Sequence, residues 1–263
     1  MSHHYAKLFA ALLTASLMQW AMAGAALAGS FDDATAAADK GDYATALKLF
    51  RPLADRGDSG AQYAIGRMYA KGQGVPKDPA EAMKWFDKAN DQSKALQAYN
   101  RSDFATARKI FEPLAEKGQA LAQYILGLMY ANGQGVPESY TEGLKWLQKA
   151  AEQGEAKAQF SAGVIYFKGL GMPANHAEAF KWYRRAADQG NATAQYNLGA
   201  MYAKGQTVPQ DVVRAHMLYA LAADNGIKAA DEAKDKLAKS MSAEQIAEAK
   251  KMAHEWKPKL ETE

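Results

Sequence analysis

Residues 122–151 run AQYILGLMYANGQGVPESYTEGLKWLQKAA, and the same text returns from Ala158 as AQFSAGVIYFKGLGMPANHAEAFKWYRRAA and from Ala194 as AQYNLGAMYAKGQTVPQDVVRAHMLYALAA. An earlier copy starts at Ala61, AQYAIGRMYAKGQGVPKDPAEAMKWFDKA. Gly127, Gly163 and Gly199 keep a constant step of 36 residues. Self-similarity at such a step marks a stacked-repeat protein, because one helix pair cannot bury its own apolar face and needs neighbours to do so. Each copy parses as helix A, glycine loop, helix B. In the copy from Ala122, helix A runs to about Ala131 and Gly133-Gln134-Gly135 stops it; after Pro137, helix B runs from about Tyr140 to Gln153 and Gly154 closes it. Glycine supplies positive φ at helix ends, and a proline shortly afterwards cannot continue the first helix. The expected fold is all-α: an α/α solenoid of stacked helix-turn-helix repeats.

Upstream, residues 37–76 recur at 98–137, a shift of 61, with 23 of 40 positions identical. That identity argues for internal duplication. The extra residues, about Asn90 to Gly118, are expected to form a further helix pair, Gln92–Asn100 and Phe104–Lys117. Before them, Phe31–Lys40 and Tyr43–Arg56 read as helices separated by Gly41-Asp42. Pro52 lacks an N–H and crowds the preceding turn, so it should kink the second of these. After Gly226 the pattern fades into two charged closing helices, Lys228–Lys239 and Ala243–Trp256. Ser242 followed by Gln245 has the form of a capping box. A solenoid needs polar end units of this kind, and Pro258–Glu263 reads as a frayed tail.

The 263 residues are 48% hydrophobic with a formal charge of +3 and no cysteine. Absent cysteine excludes disulfides, thiolate metal sites and a cysteine nucleophile. No basic tract of the kind that grips nucleic acid occurs, so the sequence offers no nucleic-acid partner. Leu8–Ala28 is uncharged, follows Lys7, and ends in Ala26-Leu27-Ala28, the small-x-small pattern of a signal-peptidase site. Ala21-Met22-Ala23 is a second such site, and the uncharged run to Phe31 is also long enough to span a bilayer as a retained anchor. The favoured organisation is a signal peptide over 1–28, a repeat solenoid over 29–226 and capping helices with a tail over 227–263. It predicts a periplasmic or secreted protein with no membrane span after cleavage.

Columns that stay constant between copies serve the stacking that every copy shares. They include Ala122, Gln123, Tyr124, Gly127, Tyr130, Gly133, Pro137, Glu142, Trp146 and Ala150 with their counterparts. Trp85, Trp146 and Trp182 recur in register, which solenoid packing explains better than an aromatic ligand ladder. Gln62, Gln123, Gln159 and Gln195 also recur, and a hydrogen bond to backbone in the adjacent unit accounts for them. Four helix A columns change freely: Gly60/Leu121/Lys157/Thr193, Ala64/Ile125/Ser161/Asn197, Arg67/Leu128/Val164/Ala200 and Lys71/Asn132/Lys168/Lys204. Offsets of 0, 4, 7 and 11 lie on one helix face. The candidate partner-binding set is therefore Arg67, Lys71, Leu121, Ile125, Leu128, Asn132, Ser161, Val164, Lys168, Asn197 and Lys204. The alternative is that these columns vary because nothing constrains them.

No catalytic constellation accompanies the repeats. His3, His4, His176, His216 and His254 show no metal-ligand spacing and read as surface or loop residues. The glycine loops lack the following Lys-Ser/Thr and the preceding strand of a phosphate loop. Glu81, Glu142 and Glu178 recur once per copy, which is a repeat feature and not an acid/base pair. No metal, cofactor or catalytic residue is expected.

The run AQYxLGxMYxxGxGVPxxxxExxKWxxKAA resembles the Sel-one-like repeat, a relative of the tetratricopeptide repeat. The match covers Ala61–Ala89 and Ala122 to about Gly226, with departures at Gly143, Thr207 and Leu218. The resemblance implies a right-handed superhelix acting as a non-enzymatic adaptor that holds a protein partner on its concave face. In bacterial envelopes such partners include membrane sensor proteins. A peptidoglycan or glycan binding module assisting cell-wall enzymes is the alternative, and the absence of aromatics from the varying columns disfavours it.

Overall fold

The computed structural model describes the backbone of residues 24–205 and 207–259, with side chains from residue 31 onward. Thirteen α-helices and no strand occur among the described residues. They are α1 (Gly24–Asp39), α2 (Tyr43–Asp55), α3 (Ser59–Lys71), α4 (Pro79–Asn100), α5 (Phe104–Glu116), α6 (Ala120–Asn132), α7 (Tyr140–Glu152), α8 (Ala156–Lys168), α9 (His176–Asp188), α10 (Ala192–Lys204), α11 (Val212–Asp224), α12 (Lys228–Ala238) and α13 (Ala243–Glu255). The fold is the all-α solenoid class expected. The expected leader lies outside the described residues except at its end, where α1 begins at Gly24. No described helix is long and apolar enough to cross a membrane.

The punctuation follows side-chain chemistry. Asp42, Asp58, Asp78, Asp103, Ser139, Asn175, Asn191 and Asp211 each sit just before a helix and accept a hydrogen bond from a backbone N–H of its first turn. Such caps satisfy donors that the helix itself leaves open. Gly133 ends α6 in the left-handed conformation, φ 63°, and the Ser139 N–H returns to the Tyr130 carbonyl at 2.8 Å to close the loop. Ser242 and Gln245 form the capping box that the sequence predicts ahead of α13. α2 runs on through Pro52, and α5 through Pro113.

One expectation fails. Residues 79–100 form a single 22-residue helix, not a helix B followed by a separate helix from Gln92. The reason lies at Ser93. The later copies carry Gly154, Gly190 and Gly226 there, with φ of 86°, 89° and 87°, and the chain turns back. Serine takes a positive φ only at a cost, as Ser102 does at φ 62° in the turn before α5, whereas glycine takes it freely. Ser93 instead stays helical and its hydroxyl donates to the Ala89 carbonyl at 2.9 Å.

The helices group into two compact units, α1–α7 through Gln153 and α8–α13 from Gly154. In the first, α3 packs on the first half of α4, and α5 packs on both α4 and α6. One core cluster holds Phe50, Leu53, Ile65, Met68 and Trp85; another holds Ala95, Phe111, Leu114, Ile125, Leu126 and Met129. Gly127 is needed for close approach, since a Cβ there would lie 2.8 Å from Leu147 Cγ. In the second unit, α8 pairs with α9 and α10 with α11, while α12 and α13 both close over α11. The chain beyond α13 turns back, and the Lys259 N–H donates to the Asp188 carbonyl at 2.8 Å.

Candidate partner-binding surface

The recurring alanine and glutamine columns are interior: Ala61, Ala122, Ala158 and Ala194 are fully buried, and Gln62, Gln123, Gln159 and Gln195 are buried beside them. Gln62, Gln123 and Gln195 each donate from Nε2 to a carbonyl at the end of the preceding helix: Ala54 at 2.9 Å, Ala115 at 3.0 Å and Ala187 at 3.3 Å. Gln153 and Gln189 then donate to the Oε1 of Gln123 and Gln159, at 2.7 and 2.8 Å. A buried amide left without partners costs free energy, and these bonds remove part of that cost. Trp85 and Trp182 are buried and Trp146 half-buried, each under a cation: Lys88 at 4.0 Å, Arg185 at 5.1 Å and Lys149 at 4.2 Å from the ring centre. The recurring glutamates are spent on their own helices. Glu81, Glu142 and Glu178 pair with Lys84, Lys145 and Lys181 at 2.9, 2.6 and 2.6 Å. The bond from Lys84 is the chief reason that the Glu81 carboxyl lies below the usual carboxylate range.

The eleven varying residues divide in two. Arg67, Lys71, Lys168 and Lys204 are exposed, and Leu121, Asn132 and Asn197 are half-buried. Lys71, Lys168 and Lys204 occupy last helical turns, where a cation also suits the helix dipole. Arg67 and Lys71 have no ion-pair partner among the described residues. Ile125, Leu128, Ser161 and Val164, by contrast, are only 7%, 3%, 6% and 4% exposed. They belong to the interior and form no open surface. Ile125 sits in the core cluster with Ala95 and Phe111. The apolar residues of these columns on α6 and α8 turn inward, and Lys168 at the end of α8 reaches solvent. Leu121 borders the same cluster. Asn197 hydrogen-bonds the phenol of Tyr183, whose titration is pushed far up, first by burial.

His216 also corrects an expectation. It is buried at 3% exposure, where a surface position was predicted, while His176 and His254 are exposed. Burial is the first cause that lowers its pKa, followed by Lys234 and Lys250, with Asp235 opposing. Among the described residues no group of three or more His, Asp or Glu is placed to hold a metal ion.

Sequence reading missed the large exposed apolar side chains: Tyr63 on α3, Met83 on α4 and Phe167 on α8. Tyr63 occupies the recurring column of Tyr124, which read as a packing position. The available signal was Ser93, standing where the other copies have the turn glycine.

Comparison with known proteins bears on the whole arrangement. The Sel1 repeat model matches residues 35–58, 59–94, 120–155, 156–191 and 192–227. The unmatched interval holds the end of α4 and α5. An exopolysaccharide production negative regulator of Rhizobium meliloti (strain 1021) is 28% identical over 130 residues, covering 40% of this chain and 48% of the regulator. The chain thus spans about half the length of that relative. A protective antigen of uropathogenic Escherichia coli displaying an SLR fold superposes with a TM-score of 0.55 at 29% identity, covering 81% of this chain and 49% of the antigen. A Sel1 repeat protein from Oxalobacter formigenes superposes with a TM-score of 0.53 at 30% identity, covering 86% of this chain and all of that one. Five repeat matches across more than half of its residues, on a fold of stacked helix pairs, mean that this chain belongs to the Sel1 repeat family.

Proposed function

We propose that this protein is a non-enzymatic, exported scaffold or regulator that binds a partner protein, such as an envelope or membrane sensor protein, through exposed side chains of its A helices. Proteins of this repeat family typically mediate protein–protein contact. The observation that carries the reading is the division within α3, α8 and α10. The packing columns repeat from copy to copy, while Arg67, Lys71, Lys168 and Lys204 stand exposed in columns that change. Cations in that position suit an acidic partner surface and set its rate and specificity of approach. Export rests on the uncharged Leu8–Ala28 run and its small-x-small end.

The test uses the protein lacking residues 1–28 as bait in envelope extract, in three forms. These are wild type, Lys168→Glu/Lys204→Glu on A helices, and Lys145→Glu/Lys181→Glu on B helices. A partner recovered by wild type and the B-helix variant, and lost from the A-helix variant, supports the proposal. Equal recovery by all three ends it. Retention on purified peptidoglycan without any captured protein would favour a glycan-binding role instead.

A further inference from the structure

Tyr63 is 55% and Met83 61% exposed, and Phe86 lies against Tyr63 with ring centres 5.2 Å apart. The columns to which Met83 and Phe86 belong are buried in the later copies except at Phe180, which is half-buried. Leu144 and Leu147 are 5% and 0% exposed, Tyr183 is 2%, and His216 and Tyr219 are 3% and 6%. In the second unit the covering element is visible. α10 lays Tyr202 across Phe180, centres 5.5 Å apart, and bonds Asn197 to Tyr183. Tyr219 packs in a cluster with Ala230, Ala233 and Leu237 of α12. In the second unit a following helix therefore seals these faces. In the first copy α4 continues straight through Ser93, and among the described residues no helix covers Met83.

We infer that the α3–α4 face formed by Tyr63, Met83 and Phe86 docks an amphipathic α-helix of a partner protein, which takes the place that the next A helix takes elsewhere. The inference rests on the reading that this protein binds a protein partner, and it names that partner's contact element. In helix-in-groove recognition the docked helix lays its apolar face against an apolar surface, and these side chains, Tyr63 from α3 with Met83 and Phe86 from α4, line one. The rim sets the partner's charge. Arg67 and Lys71 are one and two turns beyond Tyr63 on α3, both exposed, whereas Asp87 is one turn beyond Met83 on α4. The docked helix carries acidic residues on its α3 side.

The probe is a fluorescein-labelled synthetic helix of about 18 residues, long enough to span the face, with leucine at helical spacing and glutamate along one flank. Its scrambled sequence is the control. Anisotropy titrations use the full chain and its Met83→Glu, Arg67→Glu and Lys168→Glu/Lys204→Glu variants, with far-ultraviolet circular dichroism confirming that each remains folded. Met83 is mostly exposed, so its replacement leaves the core intact. The expected result is binding of the amphipathic but not the scrambled peptide. Met83→Glu should weaken it about tenfold or more and Arg67→Glu roughly two- to fivefold. The Lys168→Glu/Lys204→Glu chain should bind the peptide as wild type does, even where it fails to capture a partner from extract, which separates this inference from the broader one. Equal binding by wild type and Met83→Glu, or none by wild type, overturns it. So does self-association by light scattering that Met83→Glu abolishes, because the face would then belong to a second copy of this chain.

Discussion

Replacing Gln92 by leucine should stabilise the protein. Gln92 is fully buried in the middle of α4, and neither Oε1 nor Nε2 has a hydrogen-bond partner among the described residues. Its counterparts sit at helix ends and are paired, Gln153 to Gln123 and Gln189 to Gln159. An amide buried without partners costs about 1–3 kcal/mol, and leucine of similar volume removes that cost. Branching in a packed site returns up to about 1 kcal/mol. The net expectation is a gain of about 1–2 kcal/mol, which raises the melting temperature by roughly 2–8 °C for a chain of this size. Gln123→Leu is the opposing arm. It removes the bond to the Ala115 carbonyl and the one from Gln153. Both groups keep another partner, Gly118 N–H at 3.0 Å and the Lys149 carbonyl at 3.2 Å. The loss should therefore stay near two ordinary bonds, about 2 kcal/mol. Urea unfolding followed by circular dichroism reads both variants. A loss above about 1 kcal/mol in Gln92→Leu would mean that the amide is paired like its counterparts, and the argument from its burial would fail.

Two further outcomes follow from the helix ends and from the last repeat. Gly133→Ala forces a left-handed residue to carry a Cβ 3.3 Å from Glu138 Cβ, so it should cost about 1–2 kcal/mol, seen as a lower urea midpoint at unchanged slope; an unchanged midpoint would remove the conformational role given to that glycine. His216 has a pKa below its unfolded value, so the folded chain binds fewer protons than the unfolded chain in the interval between them. Its stability contribution is complete above about pH 6.5 and is lost as pH falls through that value toward the folded pKa. Wild type should therefore lose more melting temperature than His216→Gln between about pH 7.5 and 5.5, and equal losses would count against the burial argument.

The repeat architecture was legible because its punctuation is chemical. Glycine, proline and capping residues recur at fixed places, and Gln123 and Trp146 recur where packing needs them. The fused helix α4 was not legible in the same way. Its signal is a missing glycine at Ser93, and a pattern search registers what is present. The candidate surface was half legible. Periodicity placed Ile125, Leu128, Ser161 and Val164 on one face, yet it carries no information about what lies opposite that face. Their own chemistry did carry some, since Ile125, Leu128 and Val164 are the residue types that stay out of water. His216 was misread for a related reason. It stands in the column of Leu144 and Phe180, and the column predicts its burial better than its residue type does.

The tryptophans, each with its own surroundings, also equip this protein with optical reporters. Trp85 and Trp146 belong to the first unit, and Trp182 and Trp256 to the second. Trp85 and Trp182 are shielded from solvent, whereas Trp146 is half open to it. Their emission colours should differ accordingly, with the open indole shifted to the red. Phenylalanine at all but one indole would leave a chain that lights up the melting of one chosen repeat. Two such chains, one per unit, would reveal whether the array comes apart in a single step or from one end.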